Sequence, residues 1–172
     1  VAAYRQAIAS ARPAHGAKND QVAISALFYC ADSEEEALET VAPHAAQHLQ
    51  DVFGFISQWT KRDSEDYAWY RSMMEVLKWP ELTAEEKRGL SAEAQLMKAG
   101  VKGGSFCIGS PETCREFVRQ SEGLGVDQII LQAQLGTLPH SAIQDSLRLF
   151  GAEVLPDFRS AGIARPDEVA HE

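Results

Sequence analysis

Between Ser105 and Gln132 the chain reads SFCIGSPETCREFVRQSEGLGVDQIILQ, and this run restricts the possible folds more than any other part of the sequence. Ser110 can accept a hydrogen bond from an unpaired amide of a first helical turn. Pro111 has no N–H to lose there, and Glu112 suits the positive end of the helix dipole. A helix is therefore predicted to start at Pro111. Cys114, Phe117, Val118 and Leu124 follow at roughly helical spacing, and Gly123 and Gly125 supply the permissive backbone that stops it. VDQIILQ is short, mostly apolar and flanked by glycine, so it reads as a buried strand. With SFCI upstream the unit is β-α-β, which predicts parallel strands joined by a right-handed crossover.

A second strand signal is QVAISALFYCAD, residues 21–32, rich in Val, Ile, Leu, Phe and Tyr and almost without charge. Such a run is expected in the middle of a sheet covered on both faces. Ser33 with Glu36 has the spacing of a capping box, so a helix follows at once with Ala37, Leu38 and Val41 inward. Pro43 is expected to kink or end it, and a further helical pattern runs from His44 to Ile56. Residues 53–104 form a long helical insertion holding SEDYAWYRSMMEVLKW and TAEEKRGLSAEAQLMKAG, separated by Pro80. A leading helix covers about Ala3 to Ala11. A last one, about Ser141 to Leu155, places Ile143, Leu147, Phe150 and Val154 on one stripe. Residues 159–172 are polar and read as a loose tail. The expected strands are 22–30, 105–108 and 126–132 within one domain spanning 1–172. Alternation of this kind predicts an α/β fold with a parallel sheet, for which three strands are few.

Composition narrows the functions. At 172 residues and 45% hydrophobic the chain can bury one core, while a net charge of -9 and a pI near 5.0 oppose a polyanion-binding surface, so nucleic acid is not an expected partner. No apolar run approaches the ~20 residues needed to cross a bilayer, and the start carries no basic-then-apolar signal, so a cytoplasmic protein with no membrane partner is expected. Three cysteines, Cys30, Cys107 and Cys114, have no CxxC spacing and support neither a disulfide framework nor a zinc ribbon. The chain opens on Val1 rather than Met, which leads us to expect a partial chain.

The segments IGSPETCREFV, GVDQIILQAQLGTLPH and SLRLFGAEVLP, from Ile108 to Pro156, resemble the closing units of the bacterial luciferase-like monooxygenases, and FYCADSEEEAL resembles an earlier strand and helix start of the same family. The resemblance implies the C-terminal part of a flavin-dependent (β/α)8 barrel, with the strands at Val22, Ser105 and Val126 as its sixth, seventh and eighth. A barrel of that kind takes ~250 residues, so this length holds only part of one. The implied activity is oxidation of a small organic substrate by reduced FMN and O2, with a flavin reductase as a possible partner. Alternatives are a deazaflavin oxidoreductase using coenzyme F420 and transferring hydride, a non-catalytic flavin-binding or half-barrel scaffold, and a complete small α/β interaction domain. Free strand edges at Val22 and Val126 are expected to drive homo-oligomerisation.

In barrel enzymes the chemistry sits at the carboxyl ends of the strands, here Cys30 to Asp32, Gly109 and Ser110, and Ala133 to Leu138. Gly109 and Ser110 are candidates to hold an anion at a helix N-terminus, a structural cap being the other reading. The resemblance makes Gln134 and Gly136 candidates to face a flavin ring, against an ordinary strand-to-helix turn. These four are the candidate cofactor-binding residues, and the catalytic residues are not identified. His44, His48 and Asp51 share a helix face at metal-compatible spacing, but no HExxH pattern accompanies them and no metal site is expected. Cys30, at a strand end, is either reactive or a packed thiol, while Cys107 and Cys114 look like core. Trp59, Tyr67, Trp69, Tyr70, Met73, Met74 and Trp79 in the insertion form either a lid over an apolar substrate site or ordinary helix packing.

Overall fold

The fold was analysed on a computed structural model, which describes residues 1–12, 16, 18–61, 65–68 and 80–158. In chain order the elements are α1 (Ala2–Ser10), β1 (Ala23–Cys30), α2 (Glu34–Thr60), a 3-10 turn (Glu65–Tyr67), α3 (Ala84–Lys87), α4 (Ala92–Lys102), β2 (Phe106–Gly109), α5 (Pro111–Gly123), β3 (Gln128–Gln132), α6 (His140–Glu153) and a closing 3-10 turn (Leu155–Phe158). The protein is α/β, with a parallel sheet of order β2-β1-β3 among the described residues.

β1 occupies the centre, pairing on both edges and burying apolar side chains on both faces. Ala26, Phe28 and Cys30 point into one core with Cys107, Cys114, Phe117, Phe150 and Val154. Leu27, Tyr29 and Ala31 point into the other, with Leu38, Val41, Ala45, Met97 and Ile143. The covering begins at Ala26; residues 23–25 are only partly covered or exposed. The two neighbours are staggered. Residues 27–30 of β1 pair with Phe106–Gly109, whereas residues 23–27 pair with Gln128–Gln132.

This order corrects the expectation of three consecutive barrel strands, in which the strand at Ser105 would lie between the other two. It also removes a free edge at Val22. The Val22 carbonyl accepts from Asp127 and Gln128, and its N–H donates to the Asp127 carboxylate at 2.6 Å. The outer edges belong to β2 and β3. β3 is also less covered than its composition suggested, with Ile130 49% exposed on the face away from α5 and α6.

Helix α2 runs unbroken through Pro43, which overturns the alternative that the helix ends there. An interior proline costs ~3 kcal/mol or more. Against that stand Ala37, Leu38, Val41, Ala42, Ala45, Ala46 and Leu49, all buried on both sides of it while Pro43 itself faces out. Each larger apolar side chain returns roughly 1.5–3 kcal/mol on burial, so the packed face outweighs the missing bond. Ser33 accepts from the Glu36 amide at 3.2 Å, but the Glu36 carboxylate does not return the bond, so the expected capping box is half formed. A complete one occurs at Thr83 and Glu86. The single helix expected over 83–100 is two, α3 and α4, because Ser91 caps a new start at Ala92, accepting from the Ala94 amide, and its own N–H is taken by the Glu39 carboxylate.

Two inward assignments change. Leu124 lies past the last turn of α5 and is 66% exposed, and Leu147 faces out while Ser146 takes the inward place on α6. Trp59 stacks on Tyr67 with centroids 5.4 Å apart. Trp69, Tyr70, Met73, Met74 and Trp79, and the tail 159–172, lie outside the described residues. No described helix is long and apolar enough to cross a membrane.

Two measurements check this packing. Phe28 is fully buried edge-on against Phe150, with centroids 5.0 Å apart, so Phe28→Ala is expected to lower unfolding free energy by roughly 3–5 kcal/mol in urea titration. Asp127 accepts from the Val22 amide and from Arg5 of α1, and these hold its carboxyl below the usual 3.8. A carboxylate with a depressed folded pKa contributes stability above its unfolded value that is lost as pH falls through that value toward the folded one. The melting-temperature gap between the protein and Asp127→Asn is therefore expected to close as pH drops from about 5 to below the ordinary carboxylate range.

Candidate functional site

The carboxyl ends of the three strands share one side of the sheet, and each leads toward a helix start. β1 ends at Cys30 and passes through Ala31 and Asp32 to the Ser33 cap; β2 ends at Gly109, directly before the Ser110 cap of α5; β3 passes through residues 133–138 to Pro139 and α6. The four candidate residues lie on this side, at the junctions that follow two different strands.

At the β2 junction Gly109 has φ +153°, and a Cβ there would lie 2.7 Å from Thr113. Only glycine permits that approach. The Ser110 hydroxyl accepts from the Thr113 amide at 3.3 Å and lies 3.1 Å from Thr113 Oγ1, so it is engaged in the cap. Glu112 forms an ion pair with Arg115 and another with Arg119 at 3.6 Å. Arg115 also donates to Asp157 and to the Glu153 carbonyl, tying α5 to the turn after α6. Its pKa is raised, chiefly by the Asp157 bond. Two carboxylates and a backbone carbonyl thus surround a guanidinium that stays charged at any working pH.

The loop after β3 is pinned to α2. Gly136 has φ +51°, and a Cβ there would lie 2.8 Å from the His44 carbonyl oxygen. His44 Nδ1 is 2.9 Å from Thr137 Oγ1, and Leu135 and Leu138 are buried beside it. The exposed Gln134 carboxamide donates to the carbonyls of Gly136 at 3.0 Å and Leu138 at 3.4 Å, which leaves its oxygen without a partner among the described residues. Gly109 and Ser110 are brought to one flank of β1, Gln134 and Gly136 to the other. Two strand spacings, about 10 Å, separate the flanks.

All three cysteines meet in one apolar core. A hydrogen bond with Cys114, then burial, raises the Cys30 thiol; a bond with Cys107 raises that of Cys114. Thiolate formation is suppressed at both, so the geometry supports packed thiols rather than a nucleophile. Cys107 and Cys114 are core, as their positions suggested. On α2, Gln47 takes the Asp51 carboxylate at 2.9 Å, while His44 turns to Thr137.

Between these flanks the sequence reading missed a cavity of about 190 Å³, lined by Tyr29, Asp32, Glu36, Asp145, Ser146 and Leu149 among others. Ser146 Oγ accepts the Cys30 amide at 2.7 Å and holds α6 against the end of β1. Burial, then Glu36 and Asp145, raise the Tyr29 phenol above its usual 10.0. The acidic start of α2 was the available signal; Asp145 carried none, because its place depends on which face of α6 turns inward.

Fold and site together define an α/β protein whose parallel sheet presents polar helix starts at its carboxyl edge. No protein-family model matches the chain, and no curated relative does. Among solved structures, the monooxygenase RslO1 from Streptomyces bottropensis superposes on 92% of this chain and 36% of its own, at 19% identity and a TM-score of 0.49. The chain thus spans about a third of that protein's length, and at this identity and score the likeness carries no statement about activity.

Gly109 tests the β2 junction. Gly109→Ala forces a Cβ against Thr113 in a backbone region that costs roughly 1–3 kcal/mol for other residues. Unfolding free energy is expected to fall by about that amount, whereas Ser110→Ala, which removes only the cap, is expected to cost ~1 kcal/mol in the same titration.

Proposed function

We propose that the chain is the C-terminal part of a flavin-dependent monooxygenase of the luciferase-like (β/α)8 class, oxidising a small organic substrate with reduced FMN and O2. The observation that carries this reading is a coincidence of motif and place. The segments that bear the family resemblance, Gly109 to Glu112 and Gln134 to Gly136, both sit on the carboxyl-terminal side of one parallel sheet, where barrel enzymes keep their sites. In that barrel β1 and β3, which pair directly, are consecutive wall strands. β2, four residues long, pairs with the other edge of β1 and carries the Gly109 to Glu112 junction.

The residues at hand suit a flavin mononucleotide. At the β2 junction the charge of Glu112 is matched by Arg115 and Arg119, so the helix start is not net acidic and its amides can face a phosphate. On the other flank the unpartnered Gln134 carboxamide oxygen can accept from a ring N–H, and Gly136 lets the loop backbone approach closely. Reduced flavin, when bound, supplies the reactivity toward oxygen; the chain's own residues bind, orient and exclude water. A separate flavin reductase fits as the source of reduced cofactor, and the open outer edges of β2 and β3 fit self-association or pairing with further strands.

Flavin titration of the 172-residue chain tests the reading. FMN fluorescence is expected to change saturably, and Gln134→Ala and Ser110→Ala are each expected to weaken binding toward tenfold, about 1.4 kcal/mol. Binding of deazaflavin without FMN would redirect the proposal to hydride transfer. No response to either cofactor at millimolar concentration would end it.

A further inference from the structure

The cavity at the end of β1 has a feature that its capping role does not explain. Tyr29 lines the cavity and is only 8% exposed, and its hydroxyl, close enough to Glu36 and Asp145 to feel their charge, has no hydrogen-bond partner among the described residues. Buried polar groups are nearly always satisfied, so an orphaned phenol facing a cavity points to something that enters it.

The surroundings define what that is. Asp32 and Glu36 reach the cavity from the start of α2, and Asp145 from α6. Glu36 is available because it does not close the capping box with Ser33. The cations nearby are Arg148, 2.7 Å from Asp145 in an exposed pair, and the more distant Arg115. Three carboxylates against the Arg148 guanidinium leave two negative charges at the mouth. The floor differs in kind: the Tyr29 ring, Ala31 and Leu149 are apolar. No set of three His, Cys, Asp or Glu side chains among the described residues is placed to hold a metal ion, so the acids converge too loosely for a bare cation.

We propose that this cavity, formed by Tyr29, Asp32, Glu36 and Asp145, is a binding site for a small organic ammonium ion. An alkylammonium carries three N–H donors, enough for the phenol oxygen and two carboxylates, while its carbon stem lies on Leu149 and the face of Tyr29. About 190 Å³ admits a short chain and not a large one. The net charge of -9 steers cations toward such a mouth. The proposal stands on the cavity alone and is independent of any flavin.

The test titrates the whole chain with n-propylammonium chloride at constant ionic strength, reading the Tyr29 ring resonances by NMR, with assignment from Tyr29→Phe. A saturable shift is expected from propylammonium and none from n-propanol or sodium chloride. Glu36→Gln and Asp145→Asn are each expected to weaken binding about threefold to fivefold, and about tenfold or more together. Both side chains are exposed, and unchanged circular dichroism would verify the fold. Glu85→Gln, on α3, is expected to leave binding unchanged. A response to n-propanol equal to that of propylammonium, saturation by magnesium at lower concentration, an equal loss in Glu85→Gln, or no saturable shift at all would each overturn the assignment.

Discussion

The two-sided burial of β1 organises everything else. From Ala26 to Ala31 successive side chains enter opposite cores, so both faces need a helical layer and both edges need a partner. β2 and β3 supply the edges in staggered halves, and only Leu27 is paired on both sides. One helical layer is α5 and α6; the other is α2 with α4. That second layer explains why α2 continues past a proline: ending at Pro43 would strip Ala45 and Leu49 from the core that Leu27 and Tyr29 require.

Local chemistry was legible in the sequence where one short segment holds both halves of an interaction. The Ser110-Pro111-Glu112 start, the Ser33 cap, the three strands and the parallel arrangement all have partners within a few residues or follow from apolar runs. Strand order was not legible. Every candidate order gives each strand the same composition, and two-sided burial does not select the centre, since Phe106 and Ile108 of β2 enter one core and Cys107 the other, as the side chains of β1 do. The face of α6 escaped for a similar reason. Leu147 and Ser146 are adjacent, and hydropathy favours the leucine; a hydrogen bond to the Cys30 amide, 116 residues away in sequence, turns the serine inward. Of the candidate site, the glycine and serine positions were readable, whereas Tyr29 and Asp145 were not, since strand and helix supply them separately.

The four residues first singled out have structural duties. Gly109 clears Thr113, Ser110 caps α5, Gly136 clears the α2 backbone and Gln134 braces its own loop. Structural duty and ligand contact are compatible here, because each duty uses only part of the group. Gln134 spends its amide protons and keeps its oxygen, and the amides that Ser110 does not satisfy still point out of the helix start. Cys30 and Cys114 are different: mutual hydrogen bonding and burial raise both thiols, which disfavours a nucleophilic role for them.

Charge then divides the carboxyl edge into zones. At β2 the acid Glu112 is balanced by two arginines, one of them braced by Asp157 and the Glu153 carbonyl. Beside it, at β1, three carboxylates face a single exposed arginine around an unsatisfied phenol. A phosphate is therefore repelled from the end of β1 and tolerated at the end of β2, while an ammonium ion meets the opposite preference. The two zones are about one strand spacing apart, ~5 Å, so a charged group placed in one biases the field in the other. On the reading proposed for each, an anionic cofactor and a cationic small molecule would strengthen one another's binding across the width of a single strand.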